Sequence, residues 1–249
     1  MKKNTDIITK HPNLVSFWDF QEGPGQARMS KGKEPYALLE GSESVERDDE
    51  GIFGPYSALL EEGKWFRIPR QELSKLNIHG ENAQVTVVAW VKRRKKSNKE
   101  CEFVAGIWNE TNKKRQYGLF VNLSIWESGQ QVCGHVSSLG GPTPGYRWCM
   151  DSSIGNTEIP LEEWHLIAFT YDGEYVRSYL NGKLDERPVR NPYHYPGGLF
   201  DGGADGADFT VGAVNRSNEI GNFFVGSIGG LAIYNHALTD EEIYNLAYM

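Results

Sequence analysis

The run W-H-L-I-A-F-T-Y-D-G-E-Y-V-R-S-Y-L-N-G-K-L at residues 164–184 constrains the fold more tightly than any other part of the chain. Residues 164–171 are rich in aromatic and β-branched side chains and apolar on both alternating faces, the pattern of a strand covered on two sides. Asp172-Gly173 and Asn181-Gly182 supply the residue types that tolerate positive φ, as two-residue hairpin loops require. Between them Tyr175, Arg177 and Tyr179 alternate with Val176, Ser178 and Leu180. The run predicts a central strand that continues as an antiparallel meander.

The pattern W-H-x-x-A-x-x-Y-D-G followed by Y-x-N-G resembles the central hairpin of laminin-G-like, concanavalin A-like domains. Three further segments agree in order: the opening L-V-S-F-W-D-F-Q-E-G at 14–23, V-T-V-V-A-W-V-K at 85–92, and the closing pair 224–228 and 233–238. The resemblance spans nearly the whole chain. It implies an all-β fold, an antiparallel two-sheet jelly-roll β-sandwich, read here as one domain over residues 1–249. Such domains often bind glycans, and the same fold hosts hydrolases and lyases, so fold alone does not select the activity.

Elsewhere the strand signals are shorter. Residues 58–60 and 65–69 read as strands around a charged turn, and 71–76 as a helical turn. A second meander is expected at 102–108, 117–125 and 131–137, with closing strands at 209–214 and 223–234. Leu238 and Thr239 begin a short C-terminal helix: Thr239 caps it, Glu242 completes a capping box, and Leu238 staples to Ile243.

A net charge of −7 argues against a nucleic-acid partner, because neutralising phosphates needs a basic face. The densest basic run, residues 92–96, reads as a solvated loop after its strand. Three cysteines, Cys101, Cys133 and Cys149, cannot all pair within one chain and show no metal-type spacing. The charged start, Met1 to Asp6, has no signal-peptide core, and no apolar run is long enough to span a membrane. The chain as given is expected to be soluble, whereas the resembled family is mostly secreted or surface-attached. Oligomeric state is not legible.

Two segments are too irregular for strands. Residues 140–148 hold two prolines and three glycines, and residues 187–208 hold three prolines and five glycines around Tyr193, His194 and Tyr195. The first runs straight on from a strand that places Gln131, Cys133, His135 and Ser137 on one face. His135, Tyr146, Arg147, Trp148, Tyr193, His194 and Tyr195 are therefore expected to converge on one cleft. Aromatic rings stack on the apolar faces of sugars, and Arg or His donates to hydroxyls or pairs with uronic carboxylates, so the expected partner is carbohydrate, with an acidic glycan well suited. A lyase would use the same groups for β-elimination, with His or Tyr as base and acid, but no lyase signature strand is present. Paired carboxylates alternating along one strand, which glycoside hydrolysis in such folds requires, are absent. A protein-interaction module is disfavoured by the lack of large aliphatic anchors.

No organic cofactor is expected. A structural calcium is weighed at Asp201, Asp205 and Asp208, within an acidic glycine-rich loop. The resembled family often builds a calcium site after its first strand. There this chain carries Arg28, Lys31 and Lys33 where oxygen ligands would stand, and the reading is stability without calcium.

Overall fold

A computed structural model describes residues 5–249. Met1 to Asn4, most of the charged start, lie outside the described residues. Two antiparallel sheets pack face to face. In the first, the strand order is Lys183–Leu184, Tyr175–Leu180, Trp164–Tyr171, Val85–Arg93, Gly226–Tyr234, Ser57–Leu60, Arg47–Asp48. Leu14–Trp18 also pairs with Gly226–Tyr234, and the short Tyr193–His194 pairs with Tyr175–Leu180. In the second the order is Ser152–Ile154, Val132–Val136, Tyr117–Val121, Glu102–Ile107, Phe209–Val211, Phe66–Ile68, Ala37–Glu40, Arg28–Met29. A separate two-stranded ribbon, Val214–Arg216 with Glu219–Gly221, follows the second sheet's central strand.

Trp164–Tyr171 lies inside the first sheet, paired along its whole length with Val85–Arg93 and on its other edge with Tyr175–Leu180. The two turns work differently. Asn181 and Gly182 both take positive φ (50° and 82°), as a two-residue hairpin loop demands. In the other, only Gly173 does; Asp172 holds the turn through its carboxylate, which accepts from the amides of Glu174 at 2.9 Å and Tyr175 at 2.6 Å.

Alternation then sorts the side chains. Val85, Val87, Ala89, Val91, Ile167 and Phe169 from the first sheet meet Leu119, Val121, Val132, Val136, Phe209 and Val211 from the second. The first sheet's outer face, with Val88, Trp90, Leu166, Ala168 and Tyr179, is covered by Leu238, Ile243 and Leu246 of the C-terminal segment. The helix there, Asp240–Tyr248, has the expected capping box between Thr239 and Glu242. The second sheet's outer face carries a third apolar cluster, with Phe103, Trp108, Phe120, Cys133, Cys149, Ile154 and Val214. Loops cover this face, and it positions the site.

The basic run at 92–96 is not the solvated loop its composition suggests. Lys92 and Arg93 are the buried last residues of their strand. Arg93 reaches the fully buried Glu102 of the opposite sheet at 2.5 Å, and Lys92 meets Glu50 at 2.6 Å. Lys92 and Arg93 each have a carboxylate partner, which is what permits their burial.

Candidate functional site

A recess of about 280 Å³ opens on the outer face of the second sheet. It is carved by small residues. Along one row of paired positions stand Thr210, Gly106, Gly118, His135 and Ser152, so no side chain projects beside His135 from the two strands nearest it on one side. At Gly118 a Cβ would fall 2.8 Å from the Phe103 ring and 3.0 Å from the Phe120 ring, which the glycine lets settle over the strand. Trp108, Phe120 and His135 line the recess, with the Trp108 and His135 rings 4.6 Å apart.

Polar groups reach the recess from its rim. Arg115 and Glu110 approach to 4.0 Å, and Arg216 of the two-stranded ribbon is ion-paired to Glu100. Burial raises the Glu110 carboxyl above its ordinary range, with Arg115 opposing. The Trp108 indole N–H has no well-formed hydrogen bond, although the Glu110 carboxylate is close enough to feel it. Cys101 and Cys149 also line the recess, both thiols pushed up by burial, to about 12 and about 11, so neither is a ready thiolate.

His135 is 3% exposed. Burial drives its imidazole down to about 3, with the Asp151 carbonyl opposing. That carbonyl lies 2.8 Å from Nδ1 and can only accept, so Nδ1 carries the proton and Nε2 is the ring's acceptor. A neutral ring with one defined donor and one defined acceptor is suited to hydroxyl recognition and unsuited to taking up a proton.

The loop 138–151 places Trp148 at the mouth. Trp148 is 47% exposed, lines the recess and carries the Arg147 guanidinium over its ring at 4.6 Å. Tyr146, half exposed, meets Trp126 edge-on at 5.7 Å. Trp126 was missed in the sequence because its run reads as strand through residue 125. The strand ends at Val121, and positive φ at Asn122, Ser124, Trp126 and Glu127 turns the chain off the sheet and over its outer face.

The structure brings the two irregular segments together, but divides their residues by role. Tyr193 donates to the Asp151 carboxylate at 3.0 Å, and the Tyr195 hydroxyl meets the Ser138 amide and hydroxyl, both at 2.8 Å. The two tyrosines thus hold the two ends of the loop that bears Tyr146, Arg147 and Trp148, and neither lines the recess. His194 is exposed and lies apart from it, beside Tyr175 and Glu174. Trp108, Phe120, Arg115, Glu110 and Arg216 escaped sequence reading because three separate parts of the chain deliver them: the connection after Glu102–Ile107, the strand Tyr117–Val121 and the two-stranded ribbon. The only available signal was the outward parity of His135, which requires the neighbouring strand's Phe120 to share its face.

Of Asp201, Asp205 and Asp208, considered for calcium, the first and last are engaged separately. Asp208 accepts from the Arg70 amide at 2.8 Å and faces Arg67, while Asp201 lies 3.4 Å from Arg70 and 3.5 Å from His79. Among the described residues no group of three or more His, Cys, Asp or Glu gathers as a metal site would. After the first strand, cations take the oxygens. Lys31 sits on Asp19, and buried Arg28 donates to the carbonyls of Gly23 at 2.5 Å, Val45 at 2.8 Å and Gln26.

Two antiparallel sheets packed face to face, with a small aromatic and polar recess on the outer face of one, define a concanavalin A-like jelly roll. The chain belongs to the concanavalin A-like lectin/glucanases superfamily, whose family model matches residues 68–244. A search of curated proteins finds no match. Among solved structures it is similar to domain 4 of AbnA, an extracellular arabinanase of Geobacillus stearothermophilus, solved in complex with arabinotriose. The TM-score is 0.58 at 20% identity, over 94% of this chain and 98% of that one. It is also similar to botulinum neurotoxin type C, whose cell entry depends on two ganglioside molecules (TM-score 0.57, 10% identity, 95% and 51% covered). A third is Trypanosoma rangeli sialidase with 2,3-difluorosialic acid (TM-score 0.58, 16% identity, 95% and 33% covered). This chain spans about half of the toxin chain and a third of the sialidase. At these identities the likeness establishes the fold. Among the described residues no helix is long and apolar enough to cross a membrane.

Proposed function

We propose that this domain binds carbohydrate, seating one or two sugar units in the recess beneath Trp148. The carrying observation is the pairing of an exposed indole at the mouth with a buried, neutral His135 whose tautomer is set by Asp151. The indole offers a flat apolar face for the C–H side of a pyranose or furanose ring. His135 Nε2 accepts from a hydroxyl, and Arg115, Arg216 and Asn222 supply further polar contacts along the walls. A volume of about 280 Å³ lies just below the span of about 300–1,000 Å³ usual for small-molecule sites, which suits a chain end or short oligosaccharide. Carbohydrate ligands of the structural neighbours support the same reading.

Binding is favoured over β-elimination by two details. The basicity of His135 is suppressed by burial, and the Tyr195 hydroxyl is held by Ser138 away from the recess. Calorimetry with arabinotriose, alongside a glycan array, tests the proposal. Trp148→Ala should weaken the best ligand about tenfold while leaving thermal unfolding unchanged, as loss of a stacking contact predicts. No binding across the array, or a Trp148→Ala variant that binds like the native chain, would overturn it.

A further inference from the structure

The geometry points to a second, anionic subsite beside the recess, in which Arg190 and Arg147 read a carboxylate or sulfate on the next sugar of an acidic oligosaccharide. This rests on the carbohydrate reading above and adds the chemical class of the ligand.

The argument begins with a charge imbalance. In a chain of net charge −7, arginines find carboxylates easily, and eight of the twelve do: Arg28, Arg67, Arg70, Arg93, Arg94, Arg115, Arg177 and Arg216. Among the described residues, the ion pairs leave out Arg47, Arg147, Arg187 and Arg190. Two of these four, Arg187 and Arg190, contact Trp126, and a third, Arg147, is next in sequence to Tyr146, which does. Arg190 lies over the Trp126 ring, its Cζ 3.9 Å from the centroid, Arg187 donates to the Trp126 carbonyl at 3.1 Å, and Tyr146 packs on the ring's edge.

Each arginine is held without spending its charge. A guanidinium stacked on an indole is oriented through its face and keeps its in-plane N–H donors for an anion, in the fork that fits a carboxylate or sulfate. The Trp126 ring is itself fixed, its N–H donating to the Met150 carbonyl at 3.2 Å. The one acidic residue of that loop next to it, Glu127, meets Arg187 through its backbone carbonyl at 3.4 Å.

The turn that carries Arg187 and Arg190 is exposed and strained at its tip. Its tip, Val189, is 83% exposed and has φ of +68°, a conformation that a β-branched residue adopts at a cost. From this turn Arg190 reaches the Trp126 ring, which Tyr146 of the loop bearing Trp148 meets edge-on. From the recess outward the contacts thus run Trp148, Arg147, Tyr146, Trp126, Arg190, a cation on each of the two indoles.

The test compares three probes by calorimetry: short oligomers of galacturonic acid, the same oligomers with their carboxyls reduced to alcohols, and a sulfated neutral oligosaccharide of equal length. An anionic probe should bind about tenfold tighter than its neutral counterpart, with the advantage shrinking as salt rises from about 0.05 to 0.5 M. Arg190→Gln should remove most of that advantage and leave affinity for the reduced oligomer unchanged. Arg190→Lys, which keeps charge but loses the planar fork, should retain part of it, and Arg147→Gln serves if either variant folds poorly. A gain with galacturonate alone assigns the anion as carboxylate, and a gain with the sulfated probe as sulfate. Equal affinity for charged and neutral oligomers, or an advantage untouched in all three variants, overturns the subsite while the carbohydrate reading stands. Failure of every probe to bind overturns the subsite, whereas the carbohydrate reading falls only if arabinotriose and the array fail as well.

Discussion

Acidification offers a direct reading of the recess through His135. The imidazole is ordinarily half-protonated at 6.5, and burial lowers that to about 3 in the folded chain. Protonation therefore favours the unfolded chain. The stabilising contribution is fully present above pH 6.5 and is lost as pH falls from there towards about 3. At pH 4.5 the unfolded chain has gained two pH units of driving force for protonation. At about 1.36 kcal/mol per unit, this is a loss of about 3 kcal/mol from one residue. For a chain of this size that corresponds to roughly 6–12 °C in Tm. Carboxylates also titrate in this interval, so the measurement is a difference between native chain and His135→Gln, which hydrogen-bonds but does not titrate. Urea unfolding of both at about pH 7.5 and 4.5 should show the native chain losing about 3 kcal/mol more than the variant. Parallel losses in the two proteins, or an imidazole resonance that titrates near 6.5, would refute the placement of His135 beneath the loop.

Three further outcomes follow from geometry already described. Melting curves in EDTA and in calcium should coincide, because Arg28 and Lys31 already occupy the oxygens after the first strand; a shift of many degrees would reveal a bound ion. Glu102→Gln should destabilise the fold by about 3–5 kcal/mol in urea titrations, since it leaves Arg93 charged and buried between the sheets, while a loss under 1 kcal/mol would mean the pair is hydrated. Tyr195→Phe should cost about 1 kcal/mol by removing the hydroxyl that holds Ser138, with sugar affinity nearly unchanged; a catalytic or direct ligand role would instead abolish activity or binding.

The sandwich was legible because period-two alternation and hairpin chemistry are local. Residues 164–184 state a buried strand and two turns with no help from the rest of the chain, and Thr239 with Glu242 states a helix start. The recess was legible only in part. Trp148 stood out by its place in a proline- and glycine-rich loop, and His135 by its parity. Phe120, Trp108 and Arg216 come from a neighbouring strand, a strand end and a separate ribbon, and only sheet order sets them side by side. Tyr193 and Tyr195 show the converse limit. Residue type announced a role near the loop, but whether a tyrosine hydroxyl faces a ligand or a neighbouring residue depends on angstrom-scale placement that composition does not carry. Lys92 and Arg93 misled for the same reason, their carboxylates lying on other strands and loops.

Asp151 closes the loop in a particular way. Its carboxylate takes the Tyr193 hydroxyl at 3.0 Å and the Thr143 hydroxyl at 2.5 Å, while its carbonyl takes His135. With Ser138 clamped by Tyr195, both stems of the segment are bolted to the sandwich and the stretch between them bears no sheet pairing. On the carbohydrate reading, exchanging the exposed residues 144–148 would alter which sugar is held without asking the underlying sheets to refold, while Thr143 and Cys149, which tie the segment to Asp151 and to the strand below, stay in place.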